Sequence, residues 1–226
     1  MSLSSPTSHP AEVTIQTGAL SLKGFLEVPP KAQGLVLFAH GSGSGRNSTR
    51  NQLVAETLRQ CGIGTLLFDL LTEEEEQSDA RTGHLRFDIS FLASRLGLAT
   101  RWARKNPKLA RLPIGYFGAS TGAGAALVAA AEEGTGVAAV VSRGGRPDLA
   151  GQSLILVRAP TLLIVGGDDT DVVALNKAAF ARLASIKRLE IIDGAGHLFE
   201  EPGALEIVAN LAGAWFQEHL ERRGAS

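Results

Sequence analysis

Polarity alternates twice near the start of the chain, over Val13 to Thr17 and over Leu20 to Val28, with Gly18-Ala19 between. Alternation with a period of two puts every second side chain on one face, so these stretches predict an antiparallel hairpin at a sheet edge. Pro29-Pro30 ends it. From there the pattern changes to short, nearly continuous aliphatic runs, each followed by helical spacing. The runs are Leu35 to Ala39, Thr65 to Asp69, Ile114 to Phe117, Val137 to Val141, Thr161 to Val165 and Leu189 to Ile192. Strands covered on both faces have this character. Helical patterns lie around Asn51 to Gln60, Phe87 to Lys105, Gly122 to Glu133, Val172 to Leu183 and Pro202 to Glu221. Pro202 suits a first helical turn, where its missing N–H has no intrahelical partner. The order predicts an α/β fold: a mainly parallel sheet built by crossovers, helices on both faces, and an antiparallel N-terminal hairpin.

The segment Leu71 to Arg86 breaks this rhythm, with Glu73 to Glu76 in a row and no apolar periodicity. It reads as a surface loop or a short exposed helix, and either as a solvated acidic face or as a lid or partner contact. Residues 1–10 are Ser/Pro-rich, without a basic start or an apolar stretch, and read as a flexible tail rather than a signal peptide. Residues 11–226 then form one domain, within the size a single core supports. Hydrophobic residues at 44% leave enough apolar material for such a core. The formal charge of -1 supplies no positive field to gather nucleic acid. No apolar run reaches the ~20 residues of a membrane span. The single cysteine, Cys61, excludes an internal disulfide, and the expectation is a cytoplasmic protein. Oligomeric state is not readable from the sequence.

Candidate chemistry gathers where the aliphatic runs end. Directly after Ile114 to Phe117 comes Gly118-Ala119-Ser120-Thr121-Gly122, followed by a helix of small residues. A strand-to-helix turn this sharp crowds its flanks, so glycine is required two residues before and two after the central serine. Ser120 is the candidate nucleophile; the alternative is a helix N-cap. A serine at its free pKa is a weak nucleophile and needs a histidine base and an orienting acid, in chain order Ser, Asp or Glu, His. Of five histidines, only His197 follows the elbow within a strand-end loop. The run Thr161 to Val165 leads into Gly166-Gly167-Asp168-Asp169-Thr170-Asp171. Asp169, three residues beyond Gly166 and shortly before Val172-Val173, is the chosen acid, with Asp168 second and Asp171 third.

The first interior run ends His40-Gly41-Ser42-Gly43-Ser44-Gly45. A phosphate loop would end in Gly-Lys-Ser/Thr, and a dinucleotide loop would read G-x-G-x-x-G; this run does neither. The competing reading is the loop that gives one oxyanion N–H, from Ser42 or Gly41, with Thr121 N–H as the other donor and His40 structural. The segment Ser142 to Asp148 follows another run, so Arg143 or Arg146 is placed to receive an anionic part of a substrate, or pairs with Asp148 or a nearby glutamate.

Together the elbow Gly118 to Gly122, the His40-Gly41 loop, the Gly166 to Asp169 turn and Gly196-His197 resemble the dienelactone-hydrolase-related branch of the α/β-hydrolases. The resemblance runs from Gly34 to Phe216. It implies an esterase or related acyl hydrolase with no large cap domain, no metal and no organic cofactor, acting on a small-molecule ester. Dienelactone hydrolases proper use a cysteine nucleophile where this chain has Ser120. Cys61, before Gly62-Ile63-Gly64 at a helix end, reads as a buried or boundary residue. A thioesterase, a lactonase, an acyltransferase or a non-catalytic binding module are the other readings of the same residues.

Overall fold

The structure, a computed structural model, describes residues 10–220. The expected tail, apart from Pro10, and the expected end of the last helix at Glu221 lie outside the described residues. β1 (Ala11–Thr17) and β2 (Leu20–Glu27) form the antiparallel hairpin, turning at Gly18 with φ 60°. The remaining strands are β3 (Leu35–Ala39), β4 (Gly64–Phe68), β5 (Ile114–Ala119), β6 (Val137–Arg143), β7 (Thr161–Gly166) and β8 (Lys187–Ile192). Their order across one sheet is β1-β2-β4-β3-β5-β6-β7-β8. β2 pairs antiparallel with β4, and every pair from β4 to β8 is parallel.

Alternate residues of the central strands feed two cores. Leu35, Leu37, Tyr116, Val140 and Leu163 face the side covered by α3 (Ile89–Lys105) and α4 (Thr121–Glu133). Val36, Phe38, Phe117, Val141 and Ile164 face α1 (Thr49–Gln60) and α6 (Ala204–His219), where Trp215 and Phe216 fill the space. Burial on both faces explains why these strands read as unbroken aliphatic runs. α4 is buried from Thr121 through Ala130, which its alanine-rich sequence allows because small side chains let neighbours approach closely. α5 (Thr170–Arg182) completes the set beside β7 and β8.

The register brings the parallel strands to a common edge. Ala39 lies opposite Gly118, Ala119 opposite Arg143, Arg143 opposite Ile164, and Gly166 opposite Ile192. Loops bearing the candidate residues therefore leave the sheet side by side, at the C-terminal ends where open α/β sheets place their sites.

Several element boundaries differ from the sequence expectation, two helix starts among them. The last helix starts at Ala204, beyond Pro202, because Gly203 takes a left-handed φ of 83°. The third starts at Ile89, where the Asp88 side chain accepts from the Phe91 N–H as a cap, leaving Phe87 in a 3₁₀ turn. The acidic segment takes one of its two expected forms, a short exposed helix, α2 (Glu73–Thr82), started by a capping box in which Thr72 and Glu75 each bond the other's backbone N–H. A 3₁₀ run over Pro147–Leu156, kinked at Gly151, had no periodic signal in the sequence. Among the described residues, no helix is long and apolar enough to cross a membrane.

Candidate active site

Ser120 joins β5 to α4 with φ 51° and ψ -123°, a conformation that costs a non-glycine residue of order 1–3 kcal/mol and persists only where the surroundings impose it. The surroundings are backbone. A Cβ at Gly118 would stand 2.8 Å from Ala123 N, and one at Gly122 would stand 2.5 Å from the His40 carbonyl oxygen and collide with that of Ala39. The two glycines are thus a steric demand of the turn. The Ser120 N–H donates to Arg143 O at 3.3 Å, and the Arg146 N–H donates to Ser120 O at 3.0 Å, so β6 and its following turn clamp the residue from both sides. Ser120 occupies the N-cap position of α4, yet its hydroxyl makes no capping bond.

The loop after β3 lies against this turn. A Cβ at Gly41 would approach Ser120 Cβ to 3.1 Å, so that loop backbone is in contact with the candidate nucleophile. The Ser42 N–H is engaged, donating to Thr121 Oγ1 at 3.0 Å. Thr121 is the first residue of α4, where a backbone N–H has no carbonyl one turn back to bind. His40, 9% exposed, accepts from the Leu70 N–H at Nε2 (3.0 Å) and has Nδ1 3.0 Å from Gly41 O. Burial pushes its pKa down, which keeps it neutral and fixes the loop.

His197 follows β8, and its Nδ1 lies 2.6 Å from Asp169 Oδ2. Asp169 is the N-cap of α5, a position where an aspartate ordinarily caps its helix; here the side chain makes no capping bond and turns to the imidazole instead. Backbone bonds from Gly167 N to Ile192 O (2.8 Å) and from Asp168 N to Ala195 O (3.0 Å) join the two loops. The Gly196 N–H donates to Glu201 Oε1 at 3.0 Å, holding the turn just before His197. Asp168 and Asp171 make no hydrogen bond to His197. Gly144, at φ 50°, lies under the histidine, where a Cβ would stand 2.9 Å from His197 O. The turn 143–146 therefore touches both Ser120 and His197. The Gly144-Gly145 dipeptide was the sequence signal for it, as a pair of glycines marks a tight turn. No hydrogen bond joins Ser120 Oγ to His197 among the described residues; catalytic contacts of this kind commonly tighten only when substrate binds.

The two arginines part company. Arg146 is held bidentately by Asp148, both contacts 2.8 Å, and that pairing raises its pKa. Arg143 is 6% exposed and has no carboxylate partner: one guanidinium nitrogen donates to Asn51 Oδ1 at 3.3 Å, its carbon lies 5.9 Å from the Phe199 ring centroid, and Nε is buried without a partner. Burial, with the neighbouring Arg50 charge, pushes its pKa down to about 10, still protonated at neutral pH. A cavity of about 40 Å³ is lined by the loop after β3, Ser42 and Ser44 included, together with Leu71, Glu76 and Leu92; neither Ser120 nor His197 lines it. Cys61 is half-buried at the end of α1, its Sγ packed near Gly213.

No family model matches the chain. Its sequence is 56% identical over 221 residues to two Mycobacterium tuberculosis proteins, from strains CDC 1551 and H37Rv, that carry a provisional phosphoribosyl transferase name. The match takes in 98% of this chain and 49% of theirs, so the chain spans about half the length of the curated relatives it matches. Among solved structures it is similar to a dienelactone hydrolase from Anabaena variabilis, 60% identical with a TM-score of 0.92, over 95% of this chain and 100% of that one. An α/β serine hydrolase without a lid from Xanthomonas campestris is 18% identical with a TM-score of 0.74, over 93% of this chain and 95% of that one. That second likeness is one of fold alone.

Proposed function

The chain belongs to the dienelactone-hydrolase-related α/β-hydrolases, and we propose that within this family of hydrolases it is a carboxylesterase-type serine hydrolase of small or medium acyl esters. The observation that carries the proposal is the side-by-side arrangement of a strained, uncapped Ser120 and a His197–Asp169 pair, both seated on the turn 143–146. With the Nδ1 proton donated to Asp169, His197 presents its other ring nitrogen as a base. That nitrogen takes the Ser120 proton as Oγ attacks the ester carbonyl; the Thr121 N–H, and a donor from the Gly41–Ser42 loop, hold the oxyanion. The imidazolium then protonates the leaving alcohol. Water, deprotonated by the same histidine, releases the acid from Ser120.

Asp169 serves as the acid because it alone of the three aspartates in its turn bonds His197. Arg143 is the arginine left to meet an anionic substituent, since its charge lacks a carboxylate while Asp148 occupies Arg146. A thioesterase or lactonase would use the same residues and differ in the leaving group. Phosphoribosyl transfer is the activity in the name of the mycobacterial proteins, of whose length this chain spans about half.

Stopped-flow hydrolysis of an activated ester tests the proposal. The wild type gives a burst of alcohol equal to the enzyme, and Ser120→Ala gives none; a burst in Ser120→Ala contradicts it. With esters that differ only in a carboxylate, Arg143→Ala slows the anionic ester selectively, and equal slowing of both refutes the role given to Arg143.

A further inference from the structure

Two threonine hydroxyls inside helices lie against a carbonyl one turn back: Thr57 Oγ1 donates to Leu53 O at 3.3 Å, and Thr100 Oγ1 lies 3.0 Å from Leu96 O. Thr121 has no such outlet. It begins α4, so the residue one turn earlier is Phe117, inside β5. Its Oγ1 accepts from the Ser42 N–H, a bond across 79 residues, and that is the one hydrogen bond Oγ1 makes among the described residues. The residue is 6% exposed. A hydroxyl offers one donor and two acceptor sites. This one has an acceptor site filled and its donor free, beside the candidate nucleophile and against the loop whose backbone touches Ser120 Cβ.

The same bond bears on the Ser42 N–H, which cannot give its proton undivided to an oxyanion while Thr121 Oγ1 takes it. We propose that Thr121 supplies two oxyanion donors, its backbone N–H and its side-chain hydroxyl, so that the contribution of the Gly41–Ser42 loop reaches the oxyanion through that hydroxyl rather than directly from the Ser42 N–H. The inference rests on the serine-hydrolase reading above and deepens it. The relay runs from Ser42 N–H to Oγ1, and from the Oγ1 proton to the developing oxyanion. Donation into Oγ1 polarises the hydroxyl and strengthens the bond it gives in turn. No proton is transferred: it stays on Thr121 Oγ1 throughout, its hydrogen bond strengthening as the carbonyl oxygen gains charge and weakening again when the carbonyl re-forms.

A thionoester replaces the carbonyl oxygen with sulfur, a weak hydrogen-bond acceptor, and so reports on oxyanion donors separately from structural damage. The ratio of kcat/KM for 4-nitrophenyl acetate to that for its thiono counterpart is measured in wild type, Thr121→Ser, Thr121→Val and Thr121→Ala, with melting curves for each. Losing one donor costs about 10²–10³ in turnover with a normal ester, so the oxo-to-thiono ratio is expected to fall at least about tenfold in Thr121→Val and Thr121→Ala and to persist in Thr121→Ser. Should Thr121→Val fail to fold, Thr121→Ala, which adds no methyl in place of the hydroxyl, carries the test. An unchanged ratio, whether both esters slow alike or neither does, overturns the inference. Ser120→Ala on the same two esters separates the failures: if it is inactive while the ratio is unchanged, only the role of the hydroxyl falls; if it stays active, the nucleophile assignment falls with it.

Discussion

The elbow after β5 and the acidic helix α2 are held by opposite means. At the elbow the constraints are backbone against backbone: Ser120 is bonded to Arg143 and Arg146 through main-chain groups, and Gly118 and Gly122 are walled in by main-chain atoms. At α2 they are side chains: Glu73 pairs with Lys23, Glu75 with Arg95, and buried Asp79 accepts from the Leu85 N–H at 2.6 Å and from Arg86 at 2.5 Å. A turn fixed by backbone packing changes little with pH or salt, whereas a helix docked by ion pairs depends on the protonation of its carboxylates. The part proposed to do chemistry is thus the rigid one, and the part that shapes the neighbouring cavity is the adjustable one.

That contrast is broken most strongly by adding one methyl group to the elbow. Gly122→Ala drives a Cβ into the carbonyl oxygens of Ala39 and His40, neither of which can move without β3. Overpacking of this kind costs about 3 kcal/mol, a fall of roughly 6–12 °C in Tm for a chain of this size; a change under about 2 °C would mean the turn has slack. Acid should act on the other side. Burial alone would raise the Asp79 carboxyl, but the bonds from Arg86 and the Leu85 N–H outweigh it and hold it below its ordinary value. A carboxylate depressed in the folded state stabilises fully above its unfolded pKa, near 4, and the stabilisation is lost as pH falls through the folded value. Hydrogen exchange, corrected for intrinsic rates, should show protection over residues 73–88 falling as the pH is lowered below about 4 while residues 118–128 keep theirs. Equal loss in both would erase the distinction. Smallest of all is Glu73→Gln. It removes an exposed pair with Lys23 and is expected to leave Tm unchanged, since surface ion pairs contribute little.

The same difference decides what the sequence revealed. Gly118, Ser120 and Gly122 were readable because steric collision dictates residue type at fixed spacing, whatever the rest of the chain does. Burial on two faces made β3 to β7 readable as aliphatic runs. Helix α2 lacks apolar periodicity because charges hold it, and its partners Lys23 and Arg95 lie far along the chain, where no local pattern exposes them. The Ser42–Thr121 bond was equally hidden: it spans 79 residues and exists only once β3 and β5 pair. Asp169 stood among three carboxylates in one turn, and only the path of the loop before α5 directs one of them at His197. The alternation near the start gave the hairpin, but Gly203 moved the start of α6 through a left-handed φ that a Pro-based reading misses.

The central claim is that Ser120 is an activated nucleophile. A fluorophosphonate reacts with a serine only when a base and an oxyanion hole serve it. Incubating the protein with such a probe, then mapping the adduct by peptide mass spectrometry, should find one modification, on Ser120, in the wild type and none in Ser120→Ala. An unlabelled wild type, or a Ser120→Ala protein labelled to the same extent, would contradict the account.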